Sequence, residues 1–187
     1  MKKIALMVLG LLLSWNVNAL EVAGVKLPDT VQAGSQSLVL NGAGIRSKWF
    51  FKIYVGTLYL PQKSSNAEAI IADESVNRVA LHMLRELGST KLFGAFNEAI
   101  VANHTPAELA ALEAQIRQME QIFDAVKEVK PGDVIELDYL PGSGTQISVN
   151  GAARGTIAGI EFHRALLRIW LGNKPAQDDL KKAMLGG

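Results

Sequence analysis

The stretch GIRSKWFFKIYVGTLYLP, residues 44–61, carries the side chains best placed to do chemistry. Arg46 offers a permanent charge with a planar two-donor fork, and Tyr54 a hydroxyl that both donates and accepts. They lie eight residues apart, an even spacing that puts both on one face of a regular strand. Arg46, Lys48, Lys52 and Tyr54 are expected to share that face with Phe50, Gly56 and Leu58. Asn97 adds an amide at the rim of a helix's apolar face, one turn beyond Phe93. Two readings are open. In the first, Arg46 is a solvated strand end and Tyr54 a core ring with its hydroxyl at the edge. In the second, the pair forms an anion site at the mouth of an apolar pocket. A buried guanidinium without a partner costs several kcal/mol, and a carboxylate or enolate oxygen would satisfy it in a bidentate manner.

Other chemistries find little support. His82, His104 and His163 are scattered, without a second histidine or carboxylate at metal-ligand spacing. His82 alternates into a strand as a core residue would. There is no G-x-S-x-G nucleophile elbow, and Ser143 sits in P-G-S-G, a turn. GAGIR has two glycines and no phosphate-loop lysine. Glu136 and Asp138, at period two, are expected on a solvent face rather than as a catalytic pair. The chain has no cysteine, which removes thiol catalysis and thiolate metal sites. No cofactor and no metal are implied.

MKKIALMVLGLLLSWNVNA, residues 1–19, reads as a bacterial-type signal peptide. Two lysines precede an apolar core, and Val17-Asn18-Ala19 gives small residues at the cleavage spacing. The apolar run is too short for a stable membrane anchor. Cleavage near Ala19 would leave a single domain, residues 20–187, in the periplasm or outside the cell, where the lack of disulfides leaves stability to the hydrophobic core. Of the 19 basic and 18 acidic residues, Lys2 and Lys3 lie in that leader, so the remainder carries a net charge near −1. No basic surplus points to nucleic acid or to an anionic membrane surface.

The elements that must position Arg46 and Tyr54 follow from the pattern. LEVAGVKLPDTVQAG predicts a short edge hairpin, and Ser37–Asn41 a strand. A turn at Gly42-Ala43-Gly44 is expected to lead into a long strand, Lys48–Leu60, apolar on both faces and so covered on both. Arg78–Leu84 is another strand. Leu92, Phe93, Phe96, Ala99 and Ile100 mark a helix capped by Ser89 or Thr90. Thr105, Pro106 and Glu108 open a second helix with a capping box. Its stripe, Leu109, Leu112, Ile116, Met119, Phe123 and Val126, is expected to pack within the chain. VIELDY, GTQISVNG and AARGTIAG are strands, with a hairpin at Asn150-Gly151. A helix over Ile160–Leu171 and a short one over Pro175–Leu185 complete the chain. Strands, helices, strands, helices in that order predict an α+β domain with an antiparallel sheet layered by helices.

LNGAGIRSKWFFKIYVGTLYLP, TKLFGAFNEAI and AGIEFHRALLRIWLG together resemble the chalcone isomerase-like superfamily, most closely its secreted bacterial branch, over about residues 21–186. The resemblance implies an open-faced β-sandwich, a large antiparallel sheet against a layer of helices with a ligand cleft between them. It implies one of two activities. Plant enzymes of the superfamily close a chalcone ring; sister proteins are non-catalytic and bind fatty acids through an arginine and a tyrosine. Arg46 matches the arginine common to both groups. Tyr54 falls where the enzymes have a catalytic threonine and the binders their tyrosine. Asn97 matches a substrate-contacting asparagine. Ile169 falls near an enzyme threonine, and Thr90 near an active-site tyrosine, so groups that would polarise the substrate ketone are missing. The first expectation is therefore a binder of fatty acids or similar amphipathic carboxylates. The second is an intramolecular lyase acting on a chalcone-like enone. A third is a protein-interaction module with a vestigial cleft, which predicts a filled pocket and an exposed apolar stripe along Leu109–Val126.

Overall fold

The computed structural model describes residues 20–187. The expected signal peptide and its cleavage site at Ala19 lie outside the described residues. The remainder is an α+β domain built on one seven-stranded antiparallel sheet, in the order β11-β10-β9-β6-β5-β4-β3. A hairpin, β1 (Leu20–Val22) and β2 (Val25–Leu27), precedes the sheet strands β3 (Thr30–Ala33), β4 (Gln36–Lys48) and β5 (Phe51–Leu60). Helix α1 (Ala67–Ala72) and β6 (Asn77–Met83) follow. A two-residue strand, β7 (Leu87–Gly88), leads into three helices: α2 (Ser89–Ala102), α3 (Pro106–Ala111) and α4 (Glu113–Val126). The partner of β7, β8 (Glu128–Val129), precedes β9 (Val134–Leu140), β10 (Gly144–Val149) and β11 (Ala152–Ile157). Helices α5 (Ile160–Leu171) and α6 (Asp178–Met184) end the chain.

Several local signals act as the residues dictate. Thr105 caps α3 through Glu108 N–H, with Glu108 reaching back to close the capping box. Asn150 and Gly151 both take positive φ, 53° and 75°, the backbone a tight two-residue hairpin needs. The stripe of α3 and α4 turns inward. Leu112, Met119 and Phe123 are buried, and Leu109, Ile116 and Val126 pack against the same core. The exposed stripe required of an interaction module is therefore absent from the described residues. At the start of α2, by contrast, Gly88 occupies the cap position and no side chain caps the helix; Ser89 and Thr90 fall inside its first turn.

The turn expected at Gly42-Ala43-Gly44 does not form. Strand β4 runs straight through it, and the chain reverses seven residues later at Trp49-Phe50. The glycines serve packing instead: a Cβ on Gly42 would overlap the Ala183 carbonyl, and one on Gly44 would stand 2.7 Å from Ala183 Cβ. Their bare backbone lets α6 lie directly on β4. Arg46 and Tyr54 are consequently on two strands, not one, and meet as cross-strand partners on a common face. A register shift beside Arg46 leaves Ile53 unpaired. Lys52, expected on the face of Tyr54, pairs with Ser47 on the other side.

The sheet has two apolar faces, as the double pattern of residues 49–60 requires. Leu58 and Leu60 join the main core beneath α2, α4 and α5. Val55 and Tyr59 join a second cluster with Leu27, Leu38 and Leu40, where the β1–β2 hairpin packs. The sheet curls around this second cluster. Arg78 of β6 donates to the Gln32 carbonyl of β3 at 3.1 Å, although two strands separate them in the sheet. Glu136 and Asp138 do not face solvent as expected. They lie under this curl, where the Arg78 guanidinium binds both.

Candidate functional site

Between the sheet and α2, α4 and α5 lies a cavity of about 790 Å³. Its buried lining is almost wholly apolar: Met83, Phe96, Met119, Phe123, Leu166 and Ile169 are all at most 9 % exposed. The exposed charged residues of the lining mark the mouth, Lys48, Lys91, Glu98 and Lys174. With Arg46, that makes four cations against one carboxylate around an oily interior.

Tyr54 stands at the inner edge of this rim. Its hydroxyl accepts a hydrogen bond from Trp170 Nε1 at 3.0 Å. A hydroxyl can also donate, and no acceptor for that proton occurs among the described residues. Burial raises the Tyr54 pKa above its ordinary value, against Trp170 and the nearby Arg46, which lower it. The side chain is thus a neutral donor at physiological pH, unsuited to act as a phenolate base.

Arg46 is held by neutral oxygens. Its Nη1 donates to the Ser47 carbonyl at 2.6 Å and to Gln177 Oε1 at 3.2 Å. Gln177, just ahead of α6, also accepts from Ser47 N–H at 2.9 Å, so it fixes both strand and guanidinium. No carboxylate among the described residues lies within ion-pair distance of Arg46. The rim therefore offers a half-buried cation and a neighbouring O–H donor, both lacking an anionic partner. A carboxylate fits such a pair.

Of the residues marked from the sequence, Arg46, Tyr54 and Ile169 line this cavity. Asn97 does not. It is partly buried on α2, whose cavity side is formed by Ala95, Phe96, Glu98 and Ala99. Trp170, Gln177 and the rim lysines were not singled out as site residues. For Trp170 the signal in the sequence is its indole N–H, which needs an acceptor when buried. Among the described residues, no group of three metal-ligating side chains is assembled.

A sequence model of the chalcone isomerase-like family matches residues 19–186. The chain belongs to that family. Among solved structures, the chalcone isomerase-like fold seen here resembles that of an Arabidopsis thaliana fatty-acid binding protein. The TM-score is 0.66 at 15 % identity, over 87 % of this chain and 92 % of that one. At such low identity the likeness shows the fold. No curated protein sequence matches. Within the chalcone isomerase-like fold, the cavity occupies the expected place of the cleft, between sheet and helices.

Proposed function

We propose that this chalcone isomerase-like protein is a non-catalytic binder of fatty acids or similar amphipathic carboxylates. The observation that carries the reading is Arg46: a half-buried guanidinium on the rim of an apolar cavity, with only neutral oxygens as partners. The fatty-acid binding protein of the same fold supports it. The ligand carboxylate would pair with Arg46 and accept from Tyr54, while its chain fills the floor between Met83 and Phe123. A chain of about twelve methylenes gains on the order of 10 kcal/mol at about 0.8 each. The charge-assisted contact adds about 1.5–3, and association opposes with about 4–15. Micromolar affinity is expected. The residue pattern of the first nineteen positions supports export to the periplasm with cleavage after Ala19, which the mass of the exported protein tests.

The decisive experiment is calorimetric titration with dodecanoic acid and with its methyl ester. The ester fills the cavity equally but carries no charge. The acid is expected to bind roughly ten-fold tighter or more, the equivalent of one charge-assisted hydrogen bond. Equal binding of acid and ester would remove Arg46 from the site, and binding of neither would refute the ligand class. Turnover of a chalcone that disappears in Arg46→Ala would replace this reading with an intramolecular lyase.

A further inference from the structure

The turn joining β4 to β5 gathers most of the large apolar side chains that the described surface exposes. Trp49, Phe50 and Phe51 follow one another there and are 85 %, 96 % and 54 % exposed. Isolated surface hydrophobics are ordinary, but three adjacent aromatic rings on one projecting tip form a sticky patch. The backbone sharpens the point. Trp49 sits at φ +61°, the left-handed region that bulky residues avoid and that two-residue hairpins fill with glycine or asparagine. Folding alone favours glycine at this position. The fold itself gives no reason for a tryptophan here.

The surroundings of the tip define what that is. Lys48 and Lys52 flank it in sequence and are exposed. The Arg85 guanidinium stacks 4.0 Å above the Phe51 ring. Glu86 is the acidic neighbour, beside Arg85. Lys48 and Ile53, on either side of the tip, both line the cavity, so the tip stands at its mouth.

We propose that this tip docks the protein on an anionic lipid bilayer. Trp49 and Phe50 enter the headgroup region, where aromatic side chains are preferred, and Lys48, Lys52 and Arg85 meet lipid phosphates. Shallow apolar insertion and a small basic cluster are each weak, and their combination gives reversible attachment. Because the tip borders the mouth, docking faces the cavity toward the membrane, and an acyl ligand can pass between the two with little exposure to water. That transfer role rests on the fatty-acid reading; the docking does not.

The test is co-sedimentation of the mature protein with vesicles of equal parts phosphatidylglycerol and phosphatidylethanolamine, free of fatty acid, and with vesicles of phosphatidylcholine. Tryptophan emission gives a second readout. Trp49 is exposed and Trp170 is 4 % exposed, so a blue shift on mixing reports the tip. Binding to the anionic vesicles is expected, weaker by about ten-fold on phosphatidylcholine or in high salt. Phe50→Ser and Trp49→Gly should each reduce partitioning by roughly ten-fold, and Lys52→Glu by a few-fold. All three should keep the melting temperature and dodecanoic acid binding of the parent, with Trp49→Gly melting at or above it. No binding to anionic vesicles, or unchanged binding by Phe50→Ser, overturns the proposal. Concentration-dependent dimerisation that Phe50→Ser abolishes, without vesicle binding, also overturns it and assigns the tip to a second copy. Vesicle binding with no fatty-acid binding sustains the docking and removes the transfer role.

Discussion

Two arginines stand on opposite faces of one sheet in opposite circumstances. Arg78 on β6 is saturated by its own chain: Nη1 binds Glu136 at 2.8 Å, Nη2 donates to Asp138 at 2.6 Å, and Nε also donates to Asp138. These contacts raise its pKa, the hydrogen bond to Asp138 foremost. With the Gln32 carbonyl added, one guanidinium fastens β3, β6 and β9. Arg46 on β4 has a backbone carbonyl and an amide oxygen and no carboxylate. Both are partly or largely removed from water, and Arg78 the more so. The sequence places carboxylates around the first and leaves the second open. A cation whose counter-charges come from its own fold is a fastener; one lacking them at the edge of an oily cavity is suited to an anion from outside.

The largest effect separating them should fall on stability. Arg78→Ala strands Asp138, which is 7 % exposed, beside Glu136. Loss of about 3 kcal/mol in urea denaturation is expected, the lower end for breaking a buried pair because Glu136 keeps some access to water. Fatty-acid affinity of the folded fraction should not change. An Arg78→Ala protein of parental stability would erase the distinction between the two sites.

Arg46→Ala should do the converse. Titration with dodecanoic acid should show a loss of about 1.5–3 kcal/mol, and thermal melts should stay level or rise. Arg46→Lys should restore only part of the affinity, since an ammonium lacks the planar two-donor fork. Unchanged binding accompanied by a melting point several degrees lower would make Arg46 a second fastener.

An effect felt only in acid belongs to the cavity side of the sheet but not to the cavity. His163 of α5 is buried, stacked on Tyr139 at 4.1 Å between ring centres, with the Asn77 amide 3.0 Å from its Nε2. Burial first, then the neighbouring Arg164, pull its pKa down to about 3. The unfolded chain takes up this proton near the ordinary value of about 6.5, so between there and about 3 the unfolded state binds more protons. Stability should fall as pH drops through that window, by up to about 1.4 kcal/mol per unit, and be insensitive to this group above it. Urea denaturation across the range checks it, and His163→Gln should flatten the acid limb.

The smallest effect should come from Trp170→Phe, which deletes the N–H that Tyr54 accepts. A loss of about 1 kcal/mol in dodecanoic acid binding is expected, as for one neutral hydrogen bond. An effect as large as that of Arg46→Ala would shift the weight of recognition from the guanidinium to Tyr54.

The sequence made the layered α+β arrangement readable because its signals are local. The capping box at Thr105, the Asn150-Gly151 hairpin and the period of α5 each depend on a few adjacent residues. What it concealed depends on distant partners. Gly42-Ala43-Gly44 looks like a turn because glycine's ordinary use is conformational; here it admits a helix from the far end of the chain. A turn there would put Arg46 and Tyr54 on one strand; cross-strand pairing keeps them on one face all the same. Glu136 and Asp138 alternate like solvent-facing residues, and only the curl of the sheet encloses them with Arg78. Helix α1 leaves little trace in the sequence: Asn66 caps it, but its six residues are too few for a period to show.

The contact between Gln177 and Arg46 joins residues 131 positions apart, and Tyr54 meets Trp170 across 116. A ribosome makes the arginine and tyrosine more than a hundred residues before the side chains that orient them. Throughout synthesis, and for as long as the chain is held extended for any passage across a membrane, the pair exists without its supports. The pocket's entrance is complete only when α5 and α6 settle on β4 and β5, so any ligand held there enters after those two helices have been made and docked.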